Sequence, residues 1–174
     1  MCFYRYEPAN EESNFKQVGH LKVTFVDEPN NNSEAIIICC NSKLVSGHET
    51  LEHNLDAESA KANYLKEKPV LKAGHVARIA VEAHATVRVI LYVVLPESNT
   101  SLKDFFLHKG LVRALEMALR DEKCVRVNMI APKFNLLGLS EEEYVQKLTS
   151  SLKIIGLKTI PGVISVQLKS KFRK

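Results

Sequence analysis

The run Ala35-Ile36-Ile37-Ile38-Cys39-Cys40 constrains the fold of this chain more than any other feature. Six apolar residues follow one another in it without a polar interruption. A strand with one solvated face alternates apolar and polar residues, so an unbroken run is typical of a strand buried on both faces. Such strands occur inside parallel sheets that carry helices on both sides. The run therefore predicts a layered α/β domain with this segment at its centre.

Strand and helix patterns alternate along the rest of the chain. Alternating or continuous apolar runs predict five more strands, at 20–26, 76–81, 87–94, 125–130 and 163–168. Good helix formers or periodic apolar residues predict helices at 56–67, 101–121 and 140–154. We expect Gly110 to interrupt the second of these at a cost of up to about 1 kcal/mol. The alternation predicts a three-layer α/β/α sandwich with a mixed, mostly parallel central sheet.

The length of 174 residues fits one domain with short ends. We assign residues 1–16 to an N-terminal tail or edge segment, 17–168 to the domain and 169–174 to a basic C-terminal tail. No apolar run approaches the roughly 20 residues of a membrane-spanning helix, and the first residues lack the apolar core of a secretory signal. We therefore expect an intracellular protein, cytoplasmic or nuclear, with no membrane partner.

The chain shows no pattern for catalysis or metal binding. Its four cysteines form no CxxC pair and its six histidines show no ligand spacing with them, so buried thiols and no metal are expected. There is no phosphate-binding P-loop, no GxSxG nucleophile motif and no carboxylate pair suited to hydrolysis. We expect no enzyme activity and no cofactor.

A strand, an aspartate and a second strand follow one another at a fixed distance near the start of the domain. LKVTFV ends before Asp27, Ala35 follows eight residues later, and AIIICC leads into Asn41. This order resembles the opening of a macro domain, an α/β/α fold that binds ADP-ribose. The resemblance covers about residues 20–168, because the later strands and helices follow in the family order. It implies ADP-ribose as the ligand to consider.

Two polar residues acquire roles from this resemblance. Asp27 would accept a hydrogen bond from the adenine amino group, since a carboxylate only accepts. Asn41 would lie near the distal ribose. The alternatives are structural: Asp27 could cap the turn at its strand end, and Asn41 could satisfy the backbone of the next turn. Ile38 stands where the family has another asparagine, and it offers the ribose no hydrogen bond.

The phosphate loop that the resemblance implies has lost most of its glycines. The family uses a glycine run so that backbone N–H groups can approach a pyrophosphate. Here the loop reads Ser46-Gly47-His48-Glu49, and only Gly47 remains. Glu49 would repel a phosphate, and we expect His48 to be solvated.

The second loop is altered in the same way. Asn135 replaces its first glycine and Gly138 keeps its second, with Leu137 where an aromatic residue often stands. Because asparagine tolerates a left-handed backbone, we expect the shape of this loop to persist. The residual cleft thus comprises Asp27, Asn41, Gly47, Asn135 and Gly138.

These departures favour a non-catalytic binding module with a degenerate ADP-ribose cleft. ADP-ribose would then be a weak ligand at most, and the module would act through a protein partner. Nucleic acid is the other partner we consider, because Lys and Arg exceed Asp and Glu by 24 to 20, although these residues are spread along the chain. The alternative functions are a working ADP-ribose reader and, third, an enzyme that removes ADP-ribose.

Overall fold

Seven strands form a single sheet in the computed structural model, which describes residues 15–28, 32–82, 84–97 and 102–168. The strands are β1 (Phe15–Val18), β2 (Leu21–Val26), β3 (Ala35–Cys40), β4 (Val76–Ala80), β5 (Val89–Val94), β6 (Arg126–Met129) and β7 (Gly162–Gln167). Their order across the sheet is β1-β2-β7-β6-β3-β5-β4. The five inner strands are parallel, and β1 and β4 run antiparallel at the two edges.

The central position predicted for Ala35–Cys40 is confirmed. β3 lies between β6 and β5, so that Ala35 is paired with both Val127 and Val89. All six of its residues are buried. Ala35, Ile37 and Cys39 belong to the apolar core on one face of the sheet, and Ile36, Ile38 and Cys40 belong to the core on the opposite face. Two separate cores therefore account for the missing polar alternation.

Helices cover both faces of the sheet, which confirms the three-layer α/β/α class with a mixed, mostly parallel sheet. They are α1 (Glu49–Asn54), α2 (Glu58–Glu67), α3 (Lys103–Glu116), α4 (Phe134–Leu137) and α5 (Glu141–Leu157). A π-helical turn at Met117–Asp121 continues α3. Residues of α3 and α5 pack into one core, and residues of α1 and α2 pack into the other.

Four local expectations were wrong. Helix α1 lies in a stretch for which no helix was predicted, and α2 begins two residues later than predicted because Asp56 adopts a left-handed φ of 57°. The second loop, which includes Asn135, contains the short helix α4. Helix α3 passes through Gly110 without a break.

The edge strand β1 (Phe15–Val18) begins in the last two residues of the predicted N-terminal segment 1–16 and continues into the predicted domain. Residues 1–14 and the basic segment 169–174 lie outside the described residues. Cys39, Cys40 and Cys124 are buried free thiols, as expected, and Cys2 is outside the described part of the chain.

Within the described ranges, no helix has both the length and the apolar character needed to cross a bilayer. The same residues contain no group of three or more His, Cys, Asp or Glu side chains that could hold a metal ion.

Gly110 lets α3 approach β5 closely. A Cβ atom at this position would lie 2.4 Å from Cγ1 of Val93, a fully buried side chain. We expect Gly110→Ala to lower the free energy of unfolding by about 1–3 kcal/mol through overpacking, although alanine is the better helix former. Urea denaturation measures this difference.

A double-mutant cycle with Val93→Ala provides the control. Removing Cγ1 makes room for the new methyl group, so Gly110→Ala should be nearly neutral in that background. A neutral or stabilising effect of Gly110→Ala in the unmodified protein would contradict the packing argument.

Glu34 ties the start of β3 to the start of β6. Its carboxylate accepts hydrogen bonds from the backbone N–H groups of Val125 (2.6 Å) and Arg126 (3.2 Å). The bond from Val125 is the main reason why the pKa of Glu34 lies below its ordinary value. A carboxyl group with a lowered folded pKa stabilises the protein above its unfolded pKa, and this contribution is lost as the pH falls through the folded pKa.

Glu34→Gln should therefore lower the free energy of unfolding at neutral pH and make no difference in acid, where Glu34 is itself uncharged. The cost at neutral pH should stay below about 1 kcal/mol, because the carboxylate is partly exposed and solvent screens it. Denaturation at both pH values checks this, and an equal cost at both would show that charge is not involved.

Candidate functional site

The carboxyl ends of the parallel strands bring the predicted site residues to one edge of the sheet. Parallel strands end on the same side, and ligands of open α/β sheets bind in the crevice outside those ends. Here β2 leads to Asp27, β3 leads to Asn41 and the loop at 46–49, and β6 leads to the loop that contains α4. We call this side of the sheet the carboxyl edge.

Asp27 is exposed at the end of β2. Its backbone carbonyl accepts a hydrogen bond from Nε2 of Gln167 at 3.1 Å. Oε1 of the same glutamine accepts from the backbone N–H of Ala131 at 3.0 Å. Gln167, which the sequence did not indicate, thus links the ends of β2, β7 and β6 and fixes the backbone next to Asp27.

Asn41 uses its side-chain oxygen inside its own turn. Oδ1 accepts hydrogen bonds from the backbone N–H groups of Lys43 (2.8 Å) and Val45 (3.0 Å). The turn also places Leu44 at a left-handed φ of 60°. An amide oxygen has two lone pairs, and both are occupied here. The structure therefore matches the alternative in which Asn41 satisfies the following turn.

Side chains of the second loop cover Gly47. This residue has a φ of 81°, a conformation that suits glycine. A Cβ atom at Gly47 would lie 2.6 Å from Cγ of Lys133 and 3.0 Å from Cδ2 of Leu136. The glycine backbone that the resemblance assigns to phosphate binding is thus packed against two side chains of this protein.

His48 joins the two loops, and the expectation that it is solvated was wrong. Its side chain is half-buried, and Nε2 lies 2.9 Å from the backbone carbonyl oxygen of Ala131, to which the ring donates. Burial lowers the pKa of His48 below its ordinary value, and the bond to Ala131 opposes this only in part. The ring is therefore neutral at physiological pH and brings no positive charge to the loop.

The second loop holds a short helix where a left-handed asparagine was expected. Asn135 lies within α4 and is exposed, so that expectation was wrong. Gly138 ends the helix in the left-handed conformation, with φ 61°. The buried Nζ of Lys103 donates to the carbonyl oxygens of Leu137 and Gly138, both at 3.0 Å. This part of the loop therefore consists of carbonyl groups that are bonded to Lys103. It does not consist of free backbone N–H groups of the kind that bind phosphate.

A small cavity remains between the two loops. Its volume is about 320 Å³, and its lining includes Gly47, His48, Glu49 and Gln167. Small-molecule sites usually measure about 300–1,000 Å³, so this one is at the lower limit. Of the five residues predicted for the cleft, Gly47 alone contributes to the lining.

A buried polar network lies beneath the first loop, and no sequence motif predicted it. Glu52 is 3% exposed, and its Oε2 accepts from the hydroxyls of Ser46 (3.0 Å) and Tyr92 (2.6 Å). Nζ of Lys61 completes the set at 2.8 Å and lies 5.2 Å from the centre of the Tyr92 ring. Ser46 also accepts from the backbone N–H of His48 at 3.1 Å. The network therefore fixes the first loop from below.

Comparisons with known proteins identify the fold. No protein-family model matches the sequence, and no curated protein matches it either. Among solved structures, the Oceanobacillus iheyensis macrodomain with ADP gives a TM-score of 0.76 at 15% identity, over 91% of this chain and 90% of that chain. A mutant of that macrodomain with ADPR gives 0.75 at 14% identity, over 91% of both chains.

A second macrodomain extends the likeness. The macrodomain of Mycobacterium tuberculosis DarG gives a TM-score of 0.64 at 13% identity, over 83% of this chain and 96% of that chain. This chain therefore has the macrodomain fold, as its resemblance implied.

Removal of the Tyr92 hydroxyl tests the contribution of the network beneath the first loop to stability. Tyr92→Phe removes one donor to the buried Glu52 carboxylate, and we expect a loss of about 1–3 kcal/mol in the free energy of unfolding. Tyr64→Phe, on the adjacent helix α2, removes a hydroxyl from a half-buried ring and should cost less than about 0.5 kcal/mol. Equal effects of the two substitutions in chemical denaturation would exclude a special role for the bond to Glu52.

Proposed function

We propose that this protein is a non-catalytic binding module with a degenerate ADP-ribose cleft. Its fold is that of structures that contain ADP or ADPR. The observation that carries the proposal is the covered backbone of Gly47, against which Lys133 and Leu136 are packed. Lys133 and Leu136 occupy one side of Gly47 and restrict a pyrophosphate to the side that faces the small cavity.

The energetic consequence is a large loss of affinity. A hydrogen bond to a charged group contributes about 1.5–3 kcal/mol, and a covered loop forfeits at least two such bonds. Each factor of ten in affinity corresponds to about 1.4 kcal/mol. A micromolar site would therefore weaken toward the millimolar range.

The charges around the cavity act in the same direction. Glu49 is exposed and lines the cavity, so it repels an anion there. His48 is neutral, for the reason given above. The Lys133 ammonium is the cation nearest to the loop, but its own side chain covers Gly47.

The same geometry supports the absence of catalysis. A hydrolytic water in this cleft would need positioning groups from the ribose-binding asparagine and from the glycine loop. The Asn41 oxygen is occupied by two backbone N–H groups, and the loop backbone is covered.

An ADP-ribose reader is the second candidate function. Its support is that Asp27 stands exposed at the end of β2, and that Gly47 and Gly138 keep a left-handed backbone. In that case Lys133 and Leu136 would move aside when the ligand enters.

Calorimetric titration with ADP-ribose separates these two functions. We expect no saturable heat up to about 100 µM ligand, because the lost phosphate contacts weaken the site by several kcal/mol. Saturation at low micromolar ligand with one-to-one stoichiometry would favour the reader, and Asp27→Ala should then abolish the signal.

A partly reopened cleft provides the positive control. Leu136→Ala with Glu49→Gln uncovers one side of Gly47 and removes the repelling charge, while Lys133 keeps its attraction for phosphate. This variant should show weak but measurable binding, and Leu157→Ala, at the far end of α5, should behave like the unmodified protein.

A further inference from the structure

Exposed apolar side chains are concentrated along the carboxyl edge. The described residues include eight exposed large apolar side chains. Five of them lie at this edge, namely Val45 (38% exposed), Val70 (81%), Leu102 (55%), Phe105 (59%) and Leu136 (52%). The other three, Val125, Ile154 and Leu157, lie just before β6 or in the last turns of α5, toward the opposite edge. Exposed apolar residues that cluster mark interaction surfaces, whereas scattered ones do not.

We call the five positions the apolar row, and contacts of the residues beside them place them along this edge. Leu136 packs against Gly47, two residues after Val45. The helix that carries Leu136 is held to the start of α3 by the bonds from Lys103, the residue that follows Leu102.

The row continues from α3 to the segment before β4. The rings of Phe105 and Phe106 are in edge contact, with centroids 5.4 Å apart. Phe106 in turn packs near Gly74, four residues after Val70. The apolar row therefore follows the sheet order from β6 through β3 and β5 to β4.

Lysines alternate with the apolar side chains of the row. Lys43 precedes Val45 by two residues, and Lys68 and Lys72 flank Val70 at the same distance. On α3, Lys109 follows Phe105 by four residues and so shares its helix face. Lys133 precedes Leu136 by three residues.

These lysines have no carboxylate partner within the part of the chain that the structure describes. All five are exposed, and the ion pairs of the described residues involve other basic side chains, such as those of Arg78, Arg113 and Lys158. The nearby carboxylate of Glu97 accepts from Ser42, and the carboxyl of Asp104 faces that of Glu143. The row thus offers cationic positions between apolar ones.

We propose that the apolar row and its lysines form a docking surface for an acidic, amphipathic peptide segment of a protein partner. Leucine or phenylalanine side chains of the peptide would contact the apolar row, and its carboxylates would pair with the lysines between. This deepens the proposed function and rests on it, because a module without a ligand cleft needs another surface through which to bind.

Two other occupants fit this surface less well. Four of the five apolar side chains are aliphatic and give nucleobases no ring to stack on, which single-stranded nucleic acid requires. A second copy of the chain would place lysine against lysine in a symmetric dimer, since such an interface joins the same patch of both subunits. The charge and the aliphatic character together favour an acidic peptide.

Selection from a phage library of random peptides, about 12 residues long, against the full chain tests this proposal. Enriched sequences should combine leucine, phenylalanine or tryptophan with several aspartates or glutamates. A synthetic peptide of the enriched sequence is then titrated by fluorescence anisotropy, and its affinity should fall as salt is added. Enriched peptides without acidic residues, or no enrichment at all, would overturn the proposal.

Matched variants locate the binding surface. Phe105→Ser with Leu136→Ser, and separately Lys43→Glu with Lys133→Glu, should each weaken the peptide by roughly tenfold or more. The controls are Val125→Ser with Leu157→Ser and Lys123→Glu with Lys153→Glu, which change exposed residues outside the row and should stay within about twofold. Equal weakening by the edge and control variants would also overturn the proposal, and unchanged unfolding midpoints show that every variant is folded.

Three further measurements test nucleic acid and a second copy of the chain as occupants, and ADP-ribose as a ligand of the cleft. If labelled oligo-dT or RNA of about 20 nucleotides binds and the peptide does not, the surface recognises nucleic acid and the peptide assignment is wrong. A dimer in light scattering that disappears in the edge variants would identify a second copy as the occupant instead. ADP-ribose titration of the same samples tests the proposed function by itself, because ligand binding in the cleft would contradict the degenerate site whatever the peptide result.

Discussion

The burial of β3 on both faces is the constraint on which the rest of this structure depends. Each fully buried isoleucine contributes about 1.5–3 kcal/mol relative to exposure, and Ile36, Ile37 and Ile38 lie in two different cores. Neither core exists unless helices cover both sides of the sheet, so one apolar segment requires three layers. The parallel neighbours of β3 then require crossover connections, and these bring the loops after β3 and β6 to the same edge.

At that edge, groups of both loops make contacts within the protein. Gly47 packs against Lys133 and Leu136, the Asn41 oxygen binds its own turn, and His48 donates to Ala131. These contacts are the basis of the proposed loss of ADP-ribose binding. Exposed apolar and basic side chains lie around the two loops.

The features that were predicted correctly from the sequence are those that depend on residues close together in the chain. The strands β3 and β5 are continuous apolar runs, and the layer order followed from their alternation with helices. Helix α1 was missed because its buried residue is Glu52, whose partners Ser46, Lys61 and Tyr92 come from three other segments. The cover on Gly47 was missed for the same reason, since an unremarkable lysine and leucine some 90 residues away provide it. Residues that are neighbours in sequence allow secondary structure to be predicted. The site depends on contacts between residues that are distant in sequence, and these are known only from the fold.

The Glu52 network separates the support of the first loop from its recognition surface. Ser46 is held from beneath by a buried carboxylate, while Gly47, His48 and Glu49 line the cavity between the two loops. Substitutions of side chains that line the cavity therefore leave the Glu52 network intact and have little effect on folding. In a loop built in this way, substitutions can change the ligand specificity one at a time, because each intermediate variant still folds.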